Sequence, residues 1–139
     1  MAVKQLGVKT FVETGTFRGD SLEFFAIRYP NVQCYSCDIS PVYAGKTKSR
    51  LRDLPNVHVW GMDSLELLRR MSYSGKPPFL FWLDAHSLSD WSTHVDAEVA
   101  FIRQNHMRGK VLIDDYDKVW KGEKLATIGN LVKVGIFDV

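Results

Sequence analysis

The stretch that decides the fold is T-F-V-E-T-G-T-F-R-G-D-S, which runs from Thr10 to Ser21. It begins with a short apolar run that is typical of a buried strand and that reaches an acidic residue at Glu13. Gly15 and Gly19 follow, and a segment with helical spacing starts directly after them. The stretch therefore predicts a strand, a tight turn and a helix, which together form the repeating unit of an α/β protein.

The same alternation of apolar runs and helical segments continues along the chain. The predicted strands are Thr10–Val12, Val32–Cys37, Val57–Trp60, Phe79–Leu83, Lys110–Ile113 and Leu131–Phe137. The predicted helices are Asp20–Tyr29, Val42–Leu54, Ser64–Met71, a segment from a Thr93 cap through Ile102, and Val119–Ile128. Unbroken apolar strands joined by helices predict a Rossmann-like, doubly wound α/β fold, in which helices cover both faces of a mostly parallel sheet of about six strands.

Length, charge and cysteine content narrow the possibilities further. The 139 residues are the size of one domain, 1–139, and 18 basic against 16 acidic side chains is not the balance of a dedicated nucleic-acid binder. The longest apolar run, Phe79–Leu83, is too short to span a membrane, and no signal-peptide pattern precedes Thr10, so we expect a cytoplasmic protein. Cys34 and Cys37 lie in a predicted strand and should pack on opposite faces as reduced thiols.

Acidic side chains follow the predicted strands at the points where the strands end. They are Glu13, Asp38, Asp63, Asp84, Asp114 and Asp115. Ligands of open α/β sheets bind at the carboxyl ends of the strands, where the strand order reverses, so this pattern predicts one shared site. The dinucleotide fingerprint G-x-G-x-x-G and the phosphate-binding loop are both absent from the sequence, which disfavours a nucleotide-dependent oxidoreductase.

Three strings of the sequence resemble a known family. E-T-G-T-F-R-G-D-S, at Glu13–Ser21, resembles motif I of the class I S-adenosylmethionine-dependent methyltransferases, in the E-x-G-x-x-x-G-x-S version of the catechol O-methyltransferase type. F-W-L-D-A-H, at Phe81–His86, and V-L-I-D-D, at Val111–Asp115, resemble the fourth and fifth strand ends of that family and of its small bacterial members. The resemblance covers roughly Thr10 to Asp117 and implies the methyltransferase strand order.

The resemblance implies S-adenosyl-L-methionine as the cofactor and gives each strand end a role in holding it. The residues implied at the methionine end are Glu13, Gly15, Thr16, Gly19 and Ser21. Asp38 would accept hydrogen bonds from the ribose hydroxyls, for which a carboxylate is suited because it accepts from both at once. Met62 and Asp63 would contact the adenine, and Asp84 would complete the pocket.

The resemblance also implies O-methylation of a small-molecule hydroxyl, assisted by a divalent metal. Asp84, Asp114 and Asp115 match the metal ligands of the metal-dependent members, and three oxygen donors suit Mg²⁺. The catechol enzymes have a lysine three residues after the first of these aspartates, where this chain has Ser87. His86 therefore becomes the candidate general base, with His94 the second imidazole nearby.

Two alternatives stay open at this point. The chain could be a module that binds S-adenosylmethionine without turnover, or a dinucleotide-binding oxidoreductase domain, because Asp38 would serve either ribose. A nucleic-acid methyltransferase is disfavoured, since D-A-H-S at Asp84–Ser87 replaces the Asn/Asp-Pro-Pro-Tyr/Phe motif after the fourth strand.

The end of the sequence predicts reduced C-terminal strands. Only Leu131–Phe137 remains to form a last strand, and we expect no residues for an antiparallel seventh strand. Either a second copy of the chain completes the sheet edge, as a homodimer, or the sequence is a piece of a longer protein.

Overall fold

The structure, a computed structural model, describes residues 7–84, 91–114 and 134–139. The strands are β1 (Thr10–Thr14), β2 (Gln33–Asp38), β3 (Val57–Gly61), β4 (Phe79–Leu83), β5 (Gly109–Asp114) and β6 (Val134–Asp138). The helices are α1 (Asp20–Arg28), α2 (Pro41–Arg50), α3 (Ser64–Ser74) and α4 (Trp91–Gln104). The α/β alternation predicted from the sequence is confirmed, and α4 begins two residues before the predicted cap at Thr93.

The strands form one sheet in the order β3-β2-β1-β4-β5-β6. β1 lies between β2 and β4, and all five of its residues are buried. The first five strands are parallel, so their carboxyl ends meet at one edge of the sheet. The strand order reverses between β1 and β4, which places the topological switch point beside Thr14 and Asp84.

Helices cover both faces of the sheet, as the apolar strands predict. α3 and α4 pack on one face through residues that include Leu68 and Val99, and α1 and α2 pack on the other through residues that include Leu22. Cys34 and Cys37 are both free and buried, and they belong to opposite core clusters. This confirms the prediction of two packed thiols on opposite faces.

The last strand differs from the expectation. β6 runs antiparallel to β5, with Lys110 opposite Asp138 and Asp114 opposite Val134, whereas an antiparallel direction was expected only for a seventh strand. The Nζ atom of Lys110 donates to Oδ1 of Asp138 at 2.6 Å and supports this register.

Several predicted features lie outside the described residues. They are the helix Val119–Ile128, the residues His86, Ser87 and Asp115, the first residues of the predicted strand Leu131–Phe137, and the side chain of Asp114. Within the ranges that the structure describes, no helix has the length and apolar character needed to cross a membrane.

Candidate functional site

A cleft with a volume of about 460 Å³ lies at the carboxyl ends of the parallel strands. Its size is within the usual range for small-molecule sites. It is lined by Gly15, Phe17, Cys37, Asp38, Ile39, Met62, Asp63, Ser64, Asp84 and His94. The predicted residues Gly15, Asp38, Met62, Asp63 and Asp84 thus line one cleft.

The turn after β1 forms one wall of the cleft. Gly15 has a φ of 83°, a left-handed conformation that favours glycine. The amides of Gly15 and Thr16 both donate to the carbonyl oxygen of Cys37, at 3.0 and 2.9 Å, and tie the turn to the end of β2. The turn is therefore held by main-chain hydrogen bonds before any ligand is present.

Asp38 connects the turn to the segment after β2. The amide of Phe17 donates to its Oδ2 at 2.9 Å, and the amide of Ser40 donates to its Oδ1 at 2.8 Å. These two bonds fix the carboxylate at the cleft wall. Each oxygen of a carboxylate can accept more than one hydrogen bond, so Asp38 keeps the capacity to accept from a ligand hydroxyl.

Glu13 lies beneath the turn and does not line the cleft. It is 2% exposed, and Oγ of Ser36 donates to its Oε2 at 2.8 Å. Because the single hydroxyl proton of Ser36 is used there, the hydroxyl of Thr16 donates to Ser36 at 2.6 Å. Burial raises the pKa of Glu13 to about 8, although the Ser36 hydrogen bond lowers it, and the charge of Asp84 raises it further. Thr16 is likewise buried outside the cleft lining.

Gly19 and Ser21 also lie away from the cleft. Gly19 precedes α1 with a φ of 77°, and a Cβ atom placed on it would lie 2.3 Å from Cγ2 of Thr47. The glycine is needed for the close packing of α1 against α2. Ser21 lines a separate groove with Phe24 and Trp82.

The opposite wall of the cleft is formed by the starts of α3 and α4. Asp63 caps α3 by accepting from the amide of Leu65 at 2.9 Å. Oγ of Ser64, the next residue, lies 2.7 Å from Nε2 of His94 on α4. The same nitrogen lies 3.3 Å from Oε1 of Glu98, which is 0% exposed.

Asp84 stands at the switch point, next to the end of β5. Its amide donates to the carbonyl oxygen and to the hydroxyl of Thr14, at 3.1 and 3.2 Å. Leu83 is the register partner of Ile113, so the next residues of the two strands are Asp84 and Asp114. Only Asp84 of the three predicted metal ligands has a described side chain, and the described residues contain no cluster of three metal-binding side chains.

Sequence reasoning missed several of the lining residues. Phe17 and Ile39 are 50% and 77% exposed at the mouth of the cleft, where a ligand could cover them. Cys37 lines the floor, but burial raises the pKa of its thiol to about 12, so it is a neutral packing group. The position of Ile39 directly after a strand-end carboxylate was a usable signal, whereas nothing local to Ser64 indicated its contact with His94.

Comparison with known proteins places this arrangement in a recognised fold. No protein-family model matches the sequence, and no curated protein matches it. Among solved structures, the O-methyltransferase TomG from Streptomyces achromogenes, involved in tomaymycin synthesis and in complex with SAM, matches with a TM-score of 0.65 and 19% identity. The match covers 81% of this chain and 51% of TomG. The chain has the class I methyltransferase fold.

Other solved structures with the methyltransferase fold match at similar identity. PKMT2 from Rickettsia typhi, in complex with AdoHcy, has a TM-score of 0.59 and 18% identity, over 78% of this chain and 21% of that one. The 23S rRNA methyltransferase ErmE has a TM-score of 0.54 and 18% identity, over 80% and 43%. The chain thus spans about half or less of the length of the methyltransferase structures that it matches.

Proposed function

We propose that this chain binds S-adenosyl-L-methionine in the strand-end cleft and transfers its methyl group to a hydroxyl of a small molecule. The observation that carries the proposal is Asp38, a carboxylate fixed by two main-chain amides at the end of β2, one strand away from the switch point. It faces the same cleft as the glycine turn and Asp63. This arrangement provides an acceptor for a ribose between two further ligand-binding segments.

The charge of the cleft suits such a ligand. Asp38, Asp63 and Asp84 place three carboxylates on the lining. S-adenosylmethionine carries a sulfonium and an ammonium group against one carboxylate and is therefore net cationic, and opposite charges attract in a partly desolvated cleft. The exposed side chains of Phe17 and Ile39 at the mouth offer apolar surface to the nucleoside.

We propose the following roles for the chain's own residues. Gly15 and the main chain of the turn hold the methionine end, and Asp38 accepts from the ribose hydroxyls. Met62 and Asp63 border the adenine. The acceptor oxygen bonds to the methyl carbon as the carbon–sulfur bond breaks, and positioning these groups in line is the chief contribution of the protein.

The proposal also includes a divalent metal and a general base at the switch point. Asp84, Asp114 and Asp115 would hold Mg²⁺, and the strand register that sets Asp84 beside Asp114 supports an oxygen donor set there. When bound, the metal would lower the pKa of the acceptor hydroxyl. We propose His86, two residues after Asp84 in the sequence, as the base that takes the hydroxyl proton.

Calorimetric titration tests the binding step. We expect S-adenosylmethionine and S-adenosylhomocysteine to bind the wild-type chain and NAD⁺ not to bind. Asp53→Asn, an exposed aspartate outside the cleft lining, is the matched control for variants of Asp38 and should bind like the wild type. Failure of both sulfur ligands to bind would overturn the proposal, and binding of NAD⁺ alone would favour the oxidoreductase alternative.

A methyl-transfer assay tests the chemical step. Small phenols and catechols and, separately, bulk RNA are offered with labelled cofactor, in Mg²⁺ or in EDTA. We expect transfer to a small hydroxyl that requires Mg²⁺ and that falls in Asp114→Asn and His86→Ala. Transfer of the methyl label to RNA alone would contradict a small-molecule acceptor. Cofactor binding without any methyl transfer would favour the non-catalytic module.

A further inference from the structure

Three polar side chains connect α4 to the first turn of α3 at one end of the cleft. Oγ of Ser64 lies 2.7 Å from Nε2 of His94, and that nitrogen lies 3.3 Å from Oε1 of Glu98. His94 and Glu98 are one helical turn apart and therefore share a face of α4. Ser64 and His94 line the cleft, whereas Glu98 lies behind them.

Burying Glu98 at this position is unfavourable for the free energy of folding. Its side chain is 0% exposed, and neither carboxylate oxygen has a hydrogen bond within the residues that the structure describes. A buried carboxyl group is destabilising unless a partner compensates it, and the imidazole of His94 at 3.3 Å is placed to do so. Neighbouring core positions of α4 are the aliphatic Val95 and Val99, so an apolar residue would pack there at lower cost.

The geometry indicates that His94 fixes the position of Ser64 and does not transfer a proton. Its Nε2 atom faces both Ser64 and Glu98, so this nitrogen is already engaged within the protein. Ser64 directly follows Asp63, whose carboxylate caps the same turn of α3. Fixing Ser64 therefore fixes the segment that borders the cleft at its β3 end.

On the proposed function, the β3 end of the cleft is the nucleobase end. The ligand would run from the glycine turn after β1, past Asp38 at the end of β2, to Asp63 and Ser64 after β3. We infer that Glu98 is a positioning residue that, through His94 and Ser64, holds the first turn of α3 against the nucleobase of the bound nucleoside. This inference rests on the proposed function, because that function supplies the ligand's orientation.

Affinity measurements with adenosine and S-adenosylhomocysteine test the inference. Glu98→Gln and Ser64→Ala should each weaken binding of both ligands by about tenfold, the size of effect expected when one polar contact is lost. The two ligands should lose affinity by the same factor, because adenosine retains the nucleobase and lacks the amino-acid end. Because Glu98 acts on the ligand only through His94 and Ser64, losing Ser64 already removes its effect. The double variant should therefore bind about as weakly as either single variant.

The matched control is Glu23→Gln on α1, a partly exposed glutamate outside the cleft lining that pairs with Arg50. It should leave both affinities unchanged. Melting temperatures of all variants separate folding from binding, and Ser64→Ala keeps the test valid if Glu98→Gln folds poorly. Unchanged affinities in folded Glu98→Gln and Ser64→Ala, with normal binding by the wild type, would overturn the inference alone. Absence of binding in the wild type would instead overturn the proposed function.

Discussion

The cleft has two walls, and a buried glutamate stands behind each of them. On the wall formed by β1 and β2, Glu13 accepts a hydrogen bond from Ser36, and main-chain amides hold the rest of the wall together. On the wall formed by α3 and α4, Glu98 has no hydrogen bond within the described residues and lies at ion-pair distance from His94. The first wall is set mostly by local backbone geometry, and the second by side chains from different helices.

This difference separates two ways of building a binding site. A wall made of main-chain bonds depends on a few positions where the backbone conformation is special, such as Gly15. A wall made of side-chain bonds depends on contacts between residues far apart in sequence, such as Ser64 and His94, thirty positions apart. We expect variants of the first wall to affect folding and binding together, and variants of the second to affect binding more than folding.

The largest effect that we expect concerns the pH dependence set by Glu13. Its folded-state pKa is about 8 against an ordinary value of 4.5, so the folded protein retains a proton there that the unfolded chain releases. The stability associated with this proton is fully present below pH 4.5 and is lost as the pH rises to 8, by on the order of a few kcal/mol.

Urea unfolding at pH 5 and pH 8 measures this loss. The wild type should lose more stability over that interval than Glu13→Gln, whose amide does not titrate. Parallel pH profiles for the two proteins would show that Glu13 keeps an ordinary pKa in the folded state.

The second prediction tests how far the first wall depends on Asp38. Asp38→Ala removes the acceptor of two amides and of the proposed ribose contact, and should weaken S-adenosylhomocysteine binding by roughly a hundredfold or more. Asp38→Asn retains one oxygen acceptor and should fall between this variant and the wild type in calorimetric titration. An alanine variant that binds within threefold of the wild type would remove Asp38 from the site.

The third prediction compares two glycines of the same half of the molecule. Gly19→Ala places a Cβ atom 2.3 Å from Cγ2 of Thr47 at a positive φ, and should lower the free energy of unfolding by about 1–3 kcal/mol. Gly45, inside α2, has open space where a Cβ atom would lie. Gly45→Ala should therefore raise the free energy of unfolding by about 0.5–1 kcal/mol.

Thermal and urea unfolding measure whether Gly19→Ala is less stable and Gly45→Ala more stable than the wild type. Thr47→Ser removes the clashing methyl group and should restore part of the loss in a Gly19→Ala background. A lack of any rescue would mean that the backbone conformation, rather than the contact with α2, explains the cost.

The smallest effect should come from Arg50 at the outer side of the first wall. Its guanidinium pairs with Glu23 and Asp20 and donates to the carbonyl oxygen of Arg18 at 2.6 Å. Because these groups are solvent-exposed, Arg50→Met should cost less than about 1 kcal/mol in urea unfolding and change ligand affinity less than threefold. A larger loss would show that side chains also hold this wall.

The sequence predicted strand-end positions better than contacts between helices, for a physical reason. Glycines and strand-end carboxylates such as Asp38 mark special backbone positions, and these are local signals that a single sequence carries. The pairing of Ser64 with His94 depends on how α3 and α4 pack, which no local pattern contains. The antiparallel direction of β6 was missed for the same reason, because pairing direction follows from the whole sheet.

The antiparallel direction of β6 has a practical consequence for experiments on this chain. Val139 exchanges main-chain hydrogen bonds with Gly109 at the beginning of β5, so it lies at the edge of the sheet opposite to the cleft. A tag or linker fused after Val139 would therefore extend from the side of the molecule opposite to the ligand. Immobilised in this way, the protein would direct its cleft away from the surface in binding assays.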